Sequence, residues 1–187
     1  MVLGWFKKDE DKSPSPKQGS PSGPTASNVS TKRVSVSLLL RDDLIVVSPP
    51  KLDKDGLIRM LAEELCSKLS LGDSAPYLAK VLEREQGIST TLDTGLAVPH
   101  ARMDGLDRIV AALGLVPEGM QDPKQPDLII RAMFLFFSPN RQESFTQHLH
   151  LLRGVSSLMQ PGFIDEMLRD PSGAAVLKLV RQKEYGV

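Results

Sequence analysis

The spacing of apolar residues changes from a period of two to the helical period near residue 50. Residues 33–47 first alternate apolar with polar positions and then form a short apolar cluster that ends before two prolines. This pattern predicts a strand or an extended lead-in. From Leu57 to Leu69 the apolar residues recur at helical spacing, after the candidate caps Asp53 and Asp55. They predict a helix of about four turns.

A second helix is predicted from Ser74 to Gly87. Ser74 is a favourable cap, Pro76 falls in the first turn, where proline is tolerated, and glycine commonly follows the last residue of a helix. Apolar residues keep the helical period between these two ends. Two helices therefore precede the predicted strands.

Four segments after residue 87 have the length and composition of strands. Residues 88–92 and 95–98 predict two short strands, and residues 108–116 and 127–137 are near-continuous apolar runs. Such runs are typical of central strands that are covered on both faces. They predict one sheet with helices on both sides.

The C-terminal third supplies further helices. A helix that ends before Pro161 is predicted from six residues on one stripe: Phe145, His148, Leu149, Leu152, Val155 and Met159. Residues 163–168 and 174–180 give two shorter amphipathic helices. The order of elements predicts an α/β or α+β fold in one domain that spans residues 33–187.

The first 32 residues differ in composition from the rest. Between residues 7 and 32 the chain is mostly Ser, Pro, Gly, Lys and Asp, so it cannot bury enough apolar surface to offset the entropy of ordering. We interpret residues 1–32 as a disordered tail. Residues 1–8 hold the only Trp, which suggests a docking or membrane-touching peptide, but two aromatics and two lysines fall short of an amphipathic helix.

Charge and cysteine content exclude several classes of protein. The 23 Lys and Arg balance 23 Asp and Glu, which argues against binding nucleic acid or anionic membranes through bulk charge. Cys66 is the only cysteine, so no internal disulfide can form. No stretch approaches the roughly 18 apolar residues of a membrane span. These features predict a soluble, cytoplasmic protein without stable membrane insertion.

Common catalytic motifs do not occur in the sequence. Neither a G-x-x-x-x-G-K nor a G-x-G-x-x-G loop is present, which argues against ATP or NAD binding by those routes. No serine lies in a G-x-S-x-G elbow, and Cys66 lies on an apolar helix face, where a structural thiol is expected. His148 and His150 lie two apart on a helix and so do not face each other, which argues against a metal site. His148 alone fits a hydrogen-bonded core histidine.

His100 has a different setting from the other two histidines. It follows the apolar strand 95–98 and Pro99, which lacks a ladder donor, so its imidazole should be presented at a strand end. A neutral imidazole can attack phosphorus, and a nearby cation such as Arg102 would stabilise phosphoryl oxygens. From this local pattern alone, a loop histidine without a role remains the better interpretation.

The longer string over residues 83–102, with its E-R-E step and G-L-A-V-P-H-A-R sequence, resembles a family signature. It is similar to the enzyme IIA domains of the fructose/mannitol and nitrogen-regulatory type in the bacterial phosphoenolpyruvate-dependent phosphotransferase system. The resemblance covers residues 40–183. It implies that His100 is the phosphoryl acceptor, that Arg84 is the arginine of the E-R-E step, and that His148, in H-L-H-L-L, is the second active-centre histidine.

The resemblance also implies a mixed sheet, a mechanism and partners. His100 would attack the phosphohistidine of a small phosphocarrier protein without ATP, Mg²⁺ or any other cofactor. Arg84, His148 and, less directly, Arg102 would pair with the phosphoryl oxygens.

Two features depart from the family pattern, namely residues 116–127 and the N-terminal extension. Arg84 also has an alternative as a surface ion pair with Glu83 or Glu85.

Three functions stay open at this point. A regulatory, nitrogen-type IIA protein would control a downstream target through its phosphorylation state, whereas a transport IIA component would pass the phosphoryl group to a permease IIB subunit. The chain contains no permease segment and has an additional tail, which favours the regulatory type. A IIA-fold binding module without catalysis is the third, and the presence of Arg84, His100 and His148 together argues against it.

Overall fold

The structure, a computed structural model, describes residues 34–186. The predicted tail, residues 1–32, lies outside these residues. The strands are β1 Ile45–Val47, β2 Leu96–Ala97, β3 His100–Met103, β4 Val110–Gln121 and β5 Ile129–Pro139. The helices are α1 Val36–Leu39, α2 Lys54–Leu69, α3 Ala75–Gln86, α4 Phe145–Leu158, α5 Pro161–Arg169 and α6 Gly173–Tyr185. Short 3₁₀ turns lie at Asp42–Leu44 and Gln142–Ser144.

The lead-in contains a short helix where the sequence predicts an extended segment. Residues 45–47 form the predicted strand, but residues 36–39 form α1. The physical reason is a distant carboxylate, because Glu184 of α6 accepts hydrogen bonds from the backbone N–H groups of Val36 (2.6 Å) and Ser37 (2.9 Å). These are donors that a helix N-terminus leaves free. The prediction of an extended chain was therefore wrong for this turn.

The first two long helices agree with the sequence prediction. Asp53 caps α2 by accepting a hydrogen bond from the backbone N–H of Gly56 at 2.8 Å. At the start of α3 the helix boundary lies at Ser74, but the side chain that accepts is Asp73, from the backbone N–H of Ala75 at 3.0 Å. Gly87 follows the last residue of α3 as predicted.

The sheet is mixed, as the fold prediction required. Strand β4 pairs in parallel with β1 and antiparallel with β5, and β2 and β3 both pair in parallel with β5. Residues 88–92 do not form the predicted strand, since only Thr91 bridges to Ala97. The side chains of Ser89 and Thr91 instead bind a buried carboxylate, and this fixes the segment as a loop.

Strand β4 is longer than the sequence predicts. It continues to Gln121, with a shift of register against β5 between Leu115 and Met120. Within this irregularity Gly119 has a φ of +74°, and a Cβ there would lie 2.7 Å from the Ile129 side chain. Glycine is required at this position, because both the backbone conformation and the space exclude a side chain.

Helices cover both faces of the sheet, which confirms the predicted architecture. Phe134 and Phe136 point into a core shared with α4, α5 and α6, while Leu135 and Phe137 point into a second core with α2 and α3. All four side chains are fully buried. Burial of each contributes about 1.5–3 kcal/mol to the free energy of folding.

The apolar stripe of α4 differs in part from the prediction. His148, Val155 and Met159 are buried as expected. Leu149, however, is 48% exposed and Phe145 is 47% exposed. Leu151, and not Leu149, continues the buried row, three residues after His148 and four before Val155. The real row thus follows the i, i+3, i+7 pattern that defines one helix face.

Candidate active site

Two short strands and a proline place His100 on the sheet. Pro99 has no backbone N–H to donate, yet its carbonyl accepts from Phe136 of β5 at 3.2 Å. The chain therefore resumes pairing directly after Pro99, and His100 is the first residue of β3, opposite Phe136. The sequence predicted that the strand ends at Pro99. This was wrong, because Pro99 only interrupts the pairing with β5, which resumes at His100.

A backbone carbonyl fixes the orientation of the His100 ring. Its Nδ1 lies 2.8 Å from the carbonyl oxygen of Val98. Since a carbonyl oxygen can only accept, Nδ1 carries the proton and Nε2 holds a free lone pair. The Phe136 ring stacks against the imidazole with centroids 5.3 Å apart and planes at 14°. The ring is thus held from its Nδ1 side and from one face.

The protonation of His100 follows from its surroundings. Burial lowers the pKa of His100 below its ordinary value of 6.5, the Val98 carbonyl raises it, and the positive charge of Arg84 lowers it again. The net direction is downward. At pH 7 the ring is therefore neutral, which is the form that can attack an electrophile.

His148 lies beside His100 on the neighbouring helix. It is 5% exposed, and its Nδ1 lies 2.7 Å from the Ser138 hydroxyl oxygen at the end of β5. The centroids of the two imidazoles are 5.2 Å apart. Burial lowers the pKa of His148 to about 4, and the charges of His100 and Arg102 act in the same direction. His148 is neutral at pH 7 as well.

Arg84 belongs to the last turn of α3. Its Nη1 donates to the carbonyl of Ile88 at 2.9 Å. Within residues 34–186, Glu83 pairs with Lys80 at 3.3 Å, Glu85 pairs with Lys54 at 2.8 Å, and no ion pair includes Arg84. The alternative of a surface ion pair with either neighbour is therefore wrong.

Arg102 lies on β3, on the same side of the strand as His100, because side chains two apart share a face. Its Nη2 donates to the Arg141 carbonyl at 2.6 Å, and its guanidinium lies 5.3 Å from the centroid of the Phe145 ring. Both contacts restrict the side chain. Arg102 thus contributes a fixed positive charge next to His100.

One cleft of about 520 Å³ brings the four predicted residues together. It is lined by Lys80, Glu83, Arg84, Gly87, His100, Ala101, Arg102 and His148. Three of these side chains are cationic and one is anionic. An excess of positive charge around a neutral imidazole suits a ligand that carries two negative charges.

Two residues of the cleft region were missed in the sequence. Lys80 lies four residues before Arg84, and helical spacing alone could have placed both on one face. Ser138 directly follows an apolar run, and nothing in the local sequence links it to His148. Its contact depends on how α4 packs against β5.

Comparison with known proteins identifies the family. A family model described as "Phosphoenolpyruvate-dependent sugar phosphotransferase system, EIIA 2" matches residues 38–183. The chain belongs to this family. The resemblance noted in the sequence is thereby confirmed. The matched range contains the four predicted site residues, Arg84, His100, Arg102 and His148.

Curated relatives of this EIIA 2 chain have two kinds of name. The "PTS system fructose-specific EIIA component" of Haloferax volcanii is 25% identical over 142 residues, which are 75% of this chain and 91% of the relative. The "Nitrogen regulatory protein" of Pseudomonas aeruginosa is 21% identical over the same shares of the two chains. The EIIA 2 chain is therefore similar both to a fructose-specific component and to a nitrogen regulatory protein.

Solved structures confirm the EIIA fold. The nitrogen regulatory protein IIA-Ntr of Neisseria meningitidis superposes with a TM-score of 0.66 and 21% identity, over 78% of this chain and 98% of that one. IIA mannitol of Escherichia coli superposes with a TM-score of 0.58 and 20% identity, over 73% of this chain and 96% of that one. These likenesses establish the fold of the EIIA 2 domain.

Among residues 34–186, no helix combines the length and the apolar character needed to cross a bilayer. In the same residues, no three His, Cys, Asp or Glu side chains form a group that could hold a metal ion.

Proposed function

We propose that this EIIA 2 protein accepts a phosphoryl group on Nε2 of His100. The observation that carries the proposal is the hydrogen bond from His100 Nδ1 to the Val98 carbonyl at 2.8 Å. It puts the ring proton on Nδ1, so that the nucleophilic lone pair belongs to Nε2. Lowering of the His100 pKa by burial keeps the ring in this form at neutral pH.

The donor would be the phosphohistidine of a small phosphocarrier protein. In the transfer, the Nε2 lone pair forms the new N–P bond while the N–P bond of the donor breaks and its electron pair returns to the donor ring. No proton has to leave Nε2, because it carries none. The phosphoryl group arrives already activated, so the reaction requires neither ATP nor Mg²⁺.

Cations of the cleft would stabilise the phosphoryl oxygens during transfer. Arg84 and Arg102 are the catalytic cations in this proposal, and Lys80 adds to the positive charge of the cleft. His148 is neutral, so it contributes a hydrogen bond and not a charge. Its contact with Ser138 at 2.7 Å holds the imidazole in place for that purpose.

The proposal extends to the use of the phosphoryl group. We place residues 33–187 in one phosphotransfer domain, acting in the cytoplasm as the sequence predicts, and we favour the nitrogen-type regulatory role. Phosphorylation would add about −1.5 to −2 charges next to Arg84 and Arg102, enough to change a docking surface. The alternative is a transport component, and the name of the Haloferax volcanii relative supports it.

Phosphorylation in a purified system tests the proposal. The full chain is incubated with phosphoenolpyruvate, enzyme I and a phosphocarrier protein, and its intact mass is measured. We expect the gain of one phosphoryl group that is labile in acid and stable in base, and its loss in His100→Ala. His150→Ala is the matched control, because His150 lies outside the cleft, and it should be labelled normally.

Two outcomes would contradict the proposal. An unlabelled wild-type chain with an active donor would favour a binding module without catalysis, and a labelled His100→Ala variant would show that another residue is the acceptor. To separate the two uses, the phosphorylated protein is then mixed with purified IIB subunits of the fructose and mannitol type. Transfer to a IIB subunit would support transport, and retention of the label would support regulation.

A further inference from the structure

A buried lysine, Lys54, lies outside the lining of the cleft and contacts Glu85, the residue after Arg84. Lys54, the first residue of α2, is 3% exposed. Its ammonium nitrogen lies 2.8 Å from Oδ2 of Asp122 and 2.8 Å from Oε2 of Glu85. Lysine is rarely buried to this extent without carboxylate partners, and here it has two.

Two hydroxyl groups complete the Lys54 cluster, which we define as Lys54, Glu85, Ser89, Thr91 and Asp122. The ammonium donates to Ser89 Oγ at 2.9 Å and to Thr91 Oγ1 at 3.2 Å. Both hydroxyls in turn donate to Oδ2 of Asp122. The distance from Ser89 Oγ to this oxygen is 2.6 Å. Hydrogen bonds from these neighbours hold the pKa of Asp122 well below its usual range although burial raises it. One ammonium thus joins α2, the end of α3, the following loop and the β4–β5 loop.

The cluster closes the turn that carries Arg84. Glu85, directly after Arg84, and Ser89, directly after Ile88, both contact the same ammonium. Arg84 itself donates to the Ile88 carbonyl within this turn. Both ends of the turn therefore contact Lys54, and the guanidinium contacts Ile88, next to one of these ends.

A second chain of contacts leads from the cluster to His100. The Thr90 hydroxyl donates to Oε1 of Glu85 at 2.6 Å, and the Thr90 carbonyl accepts from the backbone N–H of Val98 at 3.1 Å. The Val98 carbonyl is the group that holds His100 Nδ1. The segments that bear Arg84 and His100 are thus fixed to each other through one set of buried polar groups.

We propose that Lys54 is a positioning residue that sets the separation of Arg84 from His100 in the phosphotransfer site. The inference rests on the proposed function of that site. Buried ion pairs often contribute less to stability than well-packed apolar residues of the same volume. A cluster that only had to fill space would not need an ammonium group, whereas one that must fix a turn from two sides needs directed contacts.

The test replaces one charge of each sign, so that the net charge of the cluster is unchanged, and Glu85 keeps its hydrogen bond from Thr90. In the double variant Lys54→Met/Asp122→Asn, we expect the second-order rate of phosphorylation by the phosphocarrier to fall roughly 10- to 100-fold, as for a small misplacement of a catalytic group. The control is Leu61→Ala, a fully buried residue of the same helix. It should lower the melting temperature with a much smaller effect on the rate per folded molecule.

A double-mutant cycle separates positioning from a general loss of structure. Once Arg84 is replaced by Ala, its separation from His100 no longer matters, so the cluster variant should cost only a few-fold further rate in that background. An equal loss with and without Arg84 would overturn the inference. So would an unchanged rate of the cluster variant in the presence of Arg84.

A readout that does not need phosphorylation keeps this inference distinct from the proposed function. ¹⁵N relaxation of the Arg84 Nε–Hε group should show a restricted side chain in the wild type and in Leu61→Ala, and a mobile one in the cluster variant. A wild type that is not phosphorylated but shows this difference would refute the proposed function and retain the positioning role of Lys54. Equal mobility of the Arg84 Nε–Hε group in all three proteins would refute the positioning role.

Discussion

The imidazoles of His100 and His148 meet edge to face, with centroids 5.2 Å apart and planes at 65°. Each is held at Nδ1 by a different group, the Val98 carbonyl for His100 and the Ser138 hydroxyl for His148. At this distance a charge on one ring opposes a charge on the other, and burial disfavours both charges. The pair therefore favours two neutral rings at pH 7, which leaves Nε2 of His100 free to react.

The first prediction concerns the pH dependence of phosphorylation. Only neutral His100 has a free lone pair, and its pKa is lowered from 6.5, so the rate should change little between pH 7 and 8. Its decrease in acid should have a midpoint below pH 6.5. Stopped-flow or quench measurements of the second-order rate at constant ionic strength provide the profile. A midpoint above 6.5 would show that the cleft favours the charged ring instead.

The second prediction links His148 to stability. The pKa of His148 is about 4 in the folded chain and 6.5 as an ordinary value, so the unfolded chain binds more protons between these limits. The free energy of unfolding should therefore be highest above pH 6.5 and fall as the pH is lowered towards 4. The loss amounts to ~3 kcal/mol at most. Denaturant titrations between pH 7.5 and 4.5 measure it.

The control for this dependence is His148→Gln, which keeps a polar side chain but cannot become cationic. Its unfolding free energy should decline less than that of the wild type over the same pH range. The two proteins should differ most in slope between pH 6.5 and 4.5. Parallel curves would mean that His148 takes up protons equally in both states.

The third prediction compares two replacements of Arg84. Arg84→Ala removes the cation from the cleft, and the rate of phosphoryl acceptance should fall roughly 10²- to 10³-fold, as on loss of a preorganised donor. Arg84→Lys restores the charge but not the planar fork that also reaches the Ile88 carbonyl, so it should recover only part of the rate. Rapid quench with the phosphorylated carrier measures both. Full recovery by lysine would show that charge alone is sufficient.

Most of the fold could be predicted because its signals are local. The helical spacing from Leu57 to Leu69 predicts a helix, and the length of the apolar runs of β4 and β5 favours strands over helices. The errors arise where distant groups decide. The first helix forms because Glu184 binds its N-terminus, and residues 88–92 stay a loop because their hydroxyls bind Asp122.

The residues of the candidate site also fall into those that local sequence predicts and those that depend on distant contacts. Arg102 could be placed near His100 because it lies only two residues further along the chain. Arg84 and His148 could be assigned only through the family resemblance, since their positions depend on how α3 and α4 pack against the sheet. Lys54 gives no signal in the sequence, because a lysine in the first turn of a helix is ordinarily exposed. Its role depends on contacts with residues 31 to 68 positions away.

The last prediction concerns the contact between the two ends of the described chain. The Glu184 carboxylate accepts from the N–H groups of Val36 and Ser37 and from the Ser35 hydroxyl at 2.7 Å. Glu184→Ala should therefore lower the free energy of unfolding by about 1–2 kcal/mol, as on loss of a helix cap. Urea titration at pH 7 measures the difference. Glu166→Ala, at an exposed position of α5, is the control and should stay within about 0.5 kcal/mol of the wild type.

The pH dependence of this contact provides an independent check. Burial raises the pKa of Glu184, but the hydrogen bonds from Ser37, Ser35 and Val36 lower it by more. The pKa of Glu184 in the folded chain is therefore below its ordinary value of 4.5. A carboxyl group with a depressed folded pKa stabilises the chain above its ordinary pKa and loses that effect as the pH falls through the folded value. The difference between wild type and Glu184→Ala should therefore be constant from pH 7 to 5.5 and shrink below pH 4.5. A difference that persists undiminished at pH 3 would mean that packing of the side chain, and not its charge, holds α1 to α6.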